Sequence, residues 1–314
     1  MVRRRSIGLL LHPREEHRDR DLAAAIARAG AHGFDTWTAV SQPEEAVRSH
    51  RDDAALLVTV GGDGTFLLGA RLAAPLGIPV LGVNRGQLGF LTDVDLPAMA
   101  GAIDTFAEGR HRIERRSLLD VRRAGEGADD GRFEALALNE VVVKSDGLNL
   151  ARIRVEVEGE LLGEFDADGV IIATATGSTA YALSAGGPPV DPRVRALVVV
   201  PLAAHAVITR PVVLPEAVSI DLTVLWGRGF AGADGHVEAP LSPGSRLEIR
   251  PGPELQVVQI GAMPFVRRLR EKVRFGMPLK EAHDAPDGHR VHERQAVDAD
   301  GPAATDVGAA SEGG

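Results

Sequence analysis

The first third of the chain alternates short apolar runs with amphipathic segments. Residues 7–11 and 56–60 are nearly uninterrupted runs of apolar residues, which is typical of strands that are buried on both faces of a parallel sheet. Between them, residues 15–29 place Leu22 and Ile26 one helical turn apart, which predicts a helix. This alternation predicts an N-terminal α/β domain with a Rossmann-like parallel sheet.

A glycine-rich turn follows the second of these strands. Residues 61–65 read GGDGT, and residues 66–72 have helical composition. Residues 79–83 form the next short apolar run, and a loop is predicted over residues 84–90. The turn therefore connects a predicted strand to a predicted helix.

From about Leu118 onward the pattern changes to a two-residue period. Ile153, Val155 and Val157 alternate with charged residues, and Gly159 follows them as the expected hairpin turn. Many short strands joined by Gly and Pro turns predict an all-β, sandwich-like C-terminal domain. The further predicted strands are residues 141–143, 170–173, 197–200, 219–225, 246–249 and 255–260.

The length of 314 residues suits two domains. We predict an α/β nucleotide-binding domain over residues 1–115 together with 263–280. A β-rich domain is predicted over residues 116–262. Residues 281–314 are predicted to lie outside both domains.

The end of the chain combines a basic helix with an acidic extension. Residues 265–274 place Phe265, Leu269 and Val273 on one face and five basic residues mostly on the other. This pattern favours a solvated cationic face over a packed stripe, with an anion site as the alternative. Residues 281–314 carry eight Asp or Glu against two Arg and lack apolar periodicity, so a disordered acidic tail is predicted.

Charge and composition exclude several classes of protein. The formal net charge is −9, which argues against a binder of nucleic acid or of anionic membranes. The chain has no cysteine, so disulfides, thiolate metal sites and thiol nucleophiles are excluded. The apolar run at 7–11 is too short for a signal peptide, and Pro201 and His205 interrupt the run at 196–208 before the roughly 20 residues that a membrane span needs. We therefore expect a cytoplasmic protein.

The GGDGT turn is the strongest candidate for chemistry. At the end of a strand and the start of a helix, backbone N–H groups and the helix dipole can meet an anion, and glycines let phosphate come close. The chain has no Walker loop, and the dinucleotide fingerprint fails at Leu67. Position alone leaves a second interpretation open, in which Asp63 only caps the helix.

Two later segments place polar groups next to apolar strands. Asn139 and Glu140 fall inside an apolar run, which costs free energy unless each finds a partner; an edge strand with one side chain outward is the alternative. Residues 174–181 concentrate hydroxyl groups directly after a strand, and a turn with local backbone bonds is the alternative there. Tyr181, the only tyrosine, supplies a ring suited to stacking on a base.

Taken together, these motifs resemble the bacterial NAD kinases, the ATP/polyphosphate-NAD kinase family. The chain carries, in the family's order, GGDGT, LGVNRGQLGFLTD, LNEVV, DGVIIAT, TGSTAYALSAGGP and the Arg210-Pro211 pair. The resemblance covers residues 5 to 280. A lone GGDGT is similar to the loop of diacylglycerol kinases, sphingosine kinases and phosphofructokinases, whereas NE followed by TGSTAY points to NAD kinases.

The resemblance implies that the terminal phosphoryl group of ATP, or of polyphosphate, is transferred to the 2′-hydroxyl of the adenosine ribose of NAD, giving NADP. It implies that Asp63 and Glu140 hold ribose hydroxyls and that Asn139 and Tyr181 hold the adenine in a β-rich NAD-binding domain. Asp63 is the candidate catalytic base, because an aspartate is ionised at neutral pH and can accept the hydroxyl proton.

The resemblance also implies partners. Mg²⁺ or another divalent cation would neutralise the ATP phosphates, with no protein ligand assigned to it. Asp168 is implied at a site shared with a neighbouring subunit of a homo-oligomer, either a dimer or a tetramer. The implied nucleotide-binding residues are Gly62, Asp63, Gly64, Thr65, Asn139, Glu140, Asp168, Thr176, Thr179, Ala180, Tyr181, Ala182, Leu183, Ser184 and His236.

The chain departs from the family pattern at a few positions. Ala175 stands where many relatives have Pro, and His236 stands where Gln is frequent. The residues before His205 are more apolar than in the family, and a satisfied structural histidine is predicted there. Two alternative functions remain from the sequence: a lipid or sugar kinase that shares the GGDGT loop, and a nucleotide-binding regulatory module without turnover.

Overall fold

The computed structural model describes residues 5–12, 20–86, 89–124, 133–147, 149–261 and 263–276. The helices in these ranges are α1 (Arg20–Ala31), α2 (Pro43–Ser49), α3 (Asp63–Ala73), α4 (Met99–Ala107), α5 (Tyr181–Ser184) and α6 (Phe265–Lys272). The strands are β1 (Ser6–Leu11), β2 (Asp35–Ala39), β3 (Ala54–Val60), β4 (Val80–Asn84), β5 (Val94–Asp95), β6 (Arg112–Ala124), β7 (Glu134–Ala137), β8 (Glu140–Ser145), β9 (Ala151–Val157), β10 (Glu160–Ala167), β11 (Gly169–Thr174), β12 (Ala196–Leu202), β13 (Val212–Pro215), β14 (Ile220–Trp226), β15 (Gly229–Ala233), β16 (Val237–Leu241) and β17 (Arg246–Gln259).

The strands form a large sheet and a small sheet. The large sheet has 11 strands in the order β10-β9-β14-β17-β4-β3-β1-β2, with β5 beside β4 and with β6 between β17 and β7. Its strands β1 to β5 pair in parallel. The small sheet has six strands in the order β13-β12-β11-β8-β15-β16, and all its pairings are antiparallel.

Helices cover both faces of the parallel strands. Leu9 packs in one core with α1 and α4, and its neighbour Leu10 packs in another core with α2 and α3. Leu56 and Leu57 divide between the same two cores. Because successive side chains of a strand point to opposite faces, strands with helices on both sides must be apolar throughout, as the sequence predicted.

The small sheet lies face to face with the antiparallel part of the large sheet. One buried core contains Val141, Val143 and Ile172 from the small sheet together with Ile153 and Leu222 from the large sheet. In β9, inward residues alternate with outward charged residues, as the two-residue period predicted. The predicted fold class, an α/β region followed by a sandwich-like β region, is confirmed.

The longest strand differs from its prediction. Residues 246–249 and 255–260 were expected to be separate strands, but β17 runs through both, with a register irregularity between Pro251 and Glu254. Proline cannot donate a hydrogen bond to the ladder, so the interruption of the pattern marks a bulge rather than a turn. Strand β17 pairs with β14 in the sandwich and with β4 of the parallel strands. It therefore joins the two regions in one sheet.

Helix α6 returns to the α/β region, but its basic face is not wholly solvated. Leu269 is buried as predicted, whereas Arg268 is also buried and donates to the Phe90 carbonyl and to Asp93. This contact joins α6 to residues 90 and 93, which come just before β5 of the parallel strands. The assignment of residues 263–280 to the α/β domain stays a prediction. The predicted acidic tail, residues 281–314, and the start of the first predicted helix lie outside the described residues. Within the described ranges, the helices are too short or too polar to cross a membrane.

Helix α3 lies so close to the sheet that one of its positions has no room for a side chain. A Cβ at Gly69 would overlap the methyl group of Thr59 on β3. We expect Gly69→Ala to lower the free energy of unfolding by about 1 to 3 kcal/mol, because overpacking pushes α3 off the sheet.

The matched control is Gly101→Ala in α4, where nothing lies within 4 Å of the new Cβ. Its helical propensity should stabilise the protein by up to about 1 kcal/mol. Urea unfolding of both variants checks the pair. Equal stability of the two variants would contradict the packing of α3 described above.

Candidate active site

The GGDGT turn enters helix α3 with Asp63 as its first helical residue. The Asp63 carboxylate accepts hydrogen bonds from the backbone N–H groups of Phe90 (3.0 Å) and Leu91 (3.1 Å). The residue before the helix, Gly62, makes no side-chain cap. Asp63 therefore holds a second loop in place instead of capping its own helix.

Gly89 lies against the Asp63 carboxylate, because a Cβ at this position would overlap its oxygens. On the other side of the turn, Gly62 and Gly64 are exposed, and nothing lies within 4 Å of a Cβ placed on Gly62. Thr65 is buried in the first turn of α3. The backbone of the turn is thus accessible at Gly62 and Gly64.

The Asn139-Glu140 pair does not lie inside one strand, contrary to the prediction. Strand β8 begins at Glu140, and Leu138 and Asn139 form the bend before it. The reason is a buried carboxylate. Asp234 accepts hydrogen bonds from the backbone N–H groups of Leu138 (3.0 Å), Asn139 (2.8 Å) and, at a longer 3.4 Å, Glu140, so these groups leave the strand ladder.

Glu140 is a buried carboxyl group with one free oxygen. The residue is 8% exposed, and its Oε2 has no hydrogen-bond partner within the described structure. Burial raises the pKa of Glu140 to about 7, with a further rise from the nearby Asp234 and an opposing effect from the backbone N–H of Tyr181. A buried polar atom without a partner is costly, and a ligand hydroxyl would supply the missing donor.

Asp234 differs from Glu140, because hydrogen-bond donors surround its carboxylate. Its side chain is fully buried, and the Arg71 guanidinium lies 3.4 Å from Oδ2. Burial raises the pKa of Asp234, while the N–H groups of residues 138–140 and Arg71 oppose the rise. All these neighbours are donors, which is the environment of an ionised carboxylate.

The hydroxyl-rich segment folds against the Asn139 bend. Thr174 Oγ1 donates to the Leu138 carbonyl (2.6 Å) and accepts from the N–H of Gly177 (3.1 Å). A Cβ at Gly177 would overlap the backbone of Asn139. Ser178 Oγ bonds the backbone of Ala175 and of Val190. Thr174 and Ser178 therefore make the local backbone bonds of a turn, as the alternative interpretation had it for this segment.

The predicted ligand-binding residues of this segment differ in exposure. Thr176 and Ala182 are buried, Thr179, Ala180 and Leu183 are half-buried, and Tyr181 and Ser184 are exposed. The Ala182 side chain packs in the small-sheet core, so only its backbone can reach a ligand. Tyr181 is 38% exposed, so part of this residue is accessible to a ligand.

The structure connects the GGDGT turn, the Asn139 bend, the hydroxyl-rich segment and the turn with His236, and it leaves Asp168 apart from them. His236 Nε2 lies 3.6 Å from the position of a Cβ on Gly64, which places the β15–β16 turn against the GGDGT turn. Asp168, by contrast, is exposed at the start of the six-residue strand β11. Since the hydroxyl-rich segment follows the far end of β11, Asp168 is separated from it by roughly 20 Å.

A cleft of about 700 Å³ borders the site at Phe90, Leu91 and Thr176. It is lined by six arginines, and five of them are paired with carboxylates. The pairs are Arg115 with Glu254, Arg116 with Glu114, Arg193 with Asp191, Arg195 with Glu216 and Arg268 with Asp93. The cleft therefore carries much less free positive charge than its arginines suggest.

Sequence reasoning missed Asp234 and Arg71. The Asp-Gly dipeptide at 234–235 indicates a hairpin turn, but no local signal reveals that its carboxylate is buried beneath another loop. His205 is an exposed residue, which differs from the predicted satisfied structural histidine. Its backbone N–H, however, donates to the Asp166 carbonyl (2.8 Å).

Comparisons with known proteins identify the class. Residues 5–111 match the ATP-NAD kinase N-terminal domain, and residues 138–259 match the ATP-NAD kinase C-terminal domain. The NAD kinase of Heliobacterium modesticaldum is 39% identical over 241 residues, which are 76% of this chain and 84% of that protein. The NAD kinase of Acidobacterium capsulatum is 32% identical over 87% of this chain and 99% of its own length.

Solved structures agree. An NAD kinase from Archaeoglobus fulgidus in complex with ATP has a TM-score of 0.66 at 25% identity, covering 85% of this chain and 98% of its own. Yeast NADH kinase complexed with NADH, at 22% identity and a TM-score of 0.73 over 88% of this chain and 89% of its own, shares the fold. The fold and the site thus define a nucleotide-dependent kinase. The chain belongs to the NAD kinase family.

Titration of Glu140 should be visible in the stability of the protein. Its pKa of about 7 in the folded protein lies above its usual value of 4.5, so the folded protein binds the proton more tightly than the unfolded chain. The stabilisation from this proton is complete at low pH and is lost as the pH rises through about 7.

Glu140→Gln removes this dependence. Between about pH 5.5 and about pH 8.5 the wild type should lose about 2 kcal/mol of unfolding free energy that the variant keeps. Urea unfolding at both pH values measures it, and Glu164→Gln on exposed β10 is the control, which should follow the wild type. A wild type and a Glu140→Gln variant with the same pH dependence would show that Glu140 is not buried as described.

Proposed function

We propose that this chain is an NAD kinase that transfers the terminal phosphoryl group of ATP to the 2′-hydroxyl of the adenosine ribose of NAD, giving NADP. The observation that carries the proposal is the arrangement of two carboxyl groups. Asp63 stands at the start of α3 in the phosphate turn, and Glu140, with its free oxygen, stands in the segment against which the hydroxyl-rich turn folds. Family membership supports the same reaction.

Asp63 is the proposed general base. Its two oxygens are held by the N–H groups of Phe90 and Leu91, and this fixes the carboxylate while leaving lone pairs for a hydroxyl proton. Phosphoryl transfer has a loose transition state, so catalysis depends mainly on positioning and on neutralising charge. Asp63 orients the hydroxyl and takes its proton as the new bond to phosphorus forms.

The start of helix α3 is the proposed site for the donor phosphates. The exposed Gly62 and Gly64 leave the backbone open there, and the positive end of the helix dipole attracts anions. His236, beside Gly64, is positioned to contact the same phosphates or the ribose. Polyphosphate presents the same chain of phosphates as ATP and is a candidate donor.

Glu140, Asn139 and Tyr181 form the proposed NAD side of the site. The free Oε2 of Glu140 accepts a hydrogen bond from a ribose hydroxyl, and the Tyr181 ring stacks on the adenine. Thr176, Thr179 to Leu183 and Ser184 line the remainder, through backbone atoms where their side chains are buried. Asp168, which lies far from this group, is proposed to reach the site of a neighbouring subunit in a dimer or tetramer.

A divalent cation such as Mg²⁺ is the proposed cofactor, and it would neutralise the charge on the ATP phosphates. Within the described ranges, no group of three or more His, Asp or Glu side chains could hold a metal. This fits Mg²⁺, which is usually bound through substrate phosphates and water with only one or two carboxylates. No protein ligand is assigned to the cation. A cytoplasmic location is proposed from the sequence.

The direct test is the formation of NADP from NAD, ATP and Mg²⁺, detected with an NADP-specific dehydrogenase. We expect Asp63→Asn to fold normally and to lose about 10² to 10⁴ in kcat, the range for a general base. Asp95→Asn, an exposed aspartate on β5, should retain full activity. If the wild type makes no NADP with ATP or polyphosphate, the proposed activity is wrong, and phosphorylation of a lipid or sugar would then support the alternative kinase. Near-normal turnover of Asp63→Asn would overturn the assignment of Asp63 as the base.

A pair of glycine variants tests whether the 89–91 loop sets the position of Asp63. Gly89→Ala places a methyl group against the Asp63 carboxylate, whereas Gly86→Ala, three residues earlier in the chain, meets nothing within 4 Å. We expect kcat to fall by roughly 10-fold to 100-fold in Gly89→Ala, because a displaced base costs that much. Gly86→Ala should be near normal, and equal activities in steady-state assays would refute the idea.

A further inference from the structure

The turn between β15 and β16 touches helix α3 at two points. Arg71 Nη1 lies 3.4 Å from Asp234 Oδ2, and His236 lies beside Gly64. Gly64 and Arg71 are seven residues apart, which is two helical turns, so they share one face of α3. The turn therefore lies along the helix whose first residue is Asp63.

The same turn also holds the bend that carries Asn139 and Glu140. Leu138 donates to Oδ2 of Asp234 and Asn139 donates to Oδ1. In return, the Asp234 N–H donates to the Glu140 carbonyl (3.0 Å). One carboxylate is thus bonded both to α3, through Arg71, and to the bend before β8.

The geometry of the turn does not explain why this carboxylate is buried. Asp234 and Gly235 both have positive φ, 50° and 68°, which Asp-Gly tolerates well in hairpin turns. An exposed aspartate would serve the turn equally. Placing the side chain in the interior costs free energy unless it is fully hydrogen-bonded, and here each bond connects two segments of the active site.

We propose that Asp234 and Arg71 are positioning residues for phosphoryl transfer, and this rests on the proposed function. Asp234 fixes the bend with Asn139 and Glu140 on the helix that carries Asp63, and Arg71 anchors Asp234 to that helix. The pair thereby sets the distance between the base and the group that holds the NAD ribose. Neither residue contacts substrate.

Asp234→Asn breaks this arrangement with little change in size. An asparagine has one side-chain oxygen, so it can accept from Leu138 or from Asn139 but not from both in the same way. Its amide group then faces a backbone N–H or Arg71, where donor meets donor. The bend should shift while the GGDGT turn keeps its own contacts to residues 90 and 91.

The experiment compares steady-state kinetics of Asp234→Asn with the wild type at varied NAD and at varied ATP. We expect the KM for NAD to rise roughly 10-fold and kcat to fall roughly 10-fold, because the ribose is misplaced. The KM for ATP should change much less than the KM for NAD, because the N–H groups of Phe90 and Leu91 still hold Asp63 at the start of the phosphate turn. A merely destabilised enzyme would lose active fraction, which lowers kcat and moves neither KM.

Arg71 provides a second, independent variant. Arg71→Met should also raise the KM for NAD and lower kcat, but by smaller factors, since the backbone hydrogen bonds to Asp234 remain. Arg71→Lys keeps a cation in reach and should restore the KM for NAD. If Asp234→Asn does not fold, the comparison of Arg71→Met with Arg71→Lys decides, and equal KM values for NAD in these two would overturn the proposal.

Asp221→Asn is the matched control. Asp221 is also buried and paired with arginines, Arg246 and Arg250, but it lies on β14 away from the site. It should alter the melting temperature without changing either KM. If Asp234→Asn behaves like Asp221→Asn, the role of Asp234 is structural only.

Titration calorimetry with NAD separates this proposal from the proposed function. Wild-type protein that neither binds NAD nor makes NADP would refute the proposed function itself. Wild-type protein that binds NAD and makes NADP, with Asp234→Asn binding NAD equally well and keeping its kcat, would refute the positioning role alone. A higher dissociation constant for NAD in Asp234→Asn, by roughly the same factor as the change in KM, would support the positioning role.

Discussion

The close packing of helix α3 is the constraint on which the site depends. The helix lies against the parallel sheet at Gly69, where there is no room for a side chain, and against the β15–β16 turn on another face. Its first residue is Asp63. Because the helix cannot move away from the sheet without leaving a cavity, the core sets the position of the Asp63 backbone. The N–H groups of Phe90 and Leu91 then fix its carboxylate.

Three carboxyl groups of the site have different tasks because their surroundings differ. Asp63 is half-buried and bonded by two backbone N–H groups, so it is fixed but can still take a proton. Glu140 is buried with one oxygen free, and burial raises its pKa to about 7. Asp234 is enclosed by donors from two segments, helix α3 and the bend before β8, and serves the architecture. Such divergence of neighbouring acids is how one site obtains separate roles from one functional group.

Much of the fold could be predicted because hydrophobic period follows burial directly. The continuous apolar runs of β1 and β3 and the alternation in β9 matched their environments. Strand β17 was predicted as two strands, since Pro251 and Gly252 indicate a turn locally, while only the pairing with β6 shows that the chain continues through a bulge. Non-local pairing of this kind leaves no mark in a short window of sequence.

The site was predictable to the extent that its chemistry is concentrated in motifs. The GGDGT turn and the hydroxyl-rich turn could be recognised from their composition. The burial of Asp234, by contrast, depends on residues about a hundred positions away in the sequence and could not be predicted from its neighbours. The same holds for Asn139, which was expected inside a strand and lies in a bend because Asp234 takes its N–H.

The most direct test of this account is a crystal structure of the Asp63→Asn variant with NAD and a non-hydrolysable ATP analogue. The account predicts the 2′-hydroxyl of the adenosine ribose within about 2.6 to 3.2 Å of the side chain at position 63, Glu140 Oε2 bonded to the ribose, and the terminal phosphate in line at the start of α3. A dinucleotide bound with its adenosine ribose turned away from position 63 would contradict it.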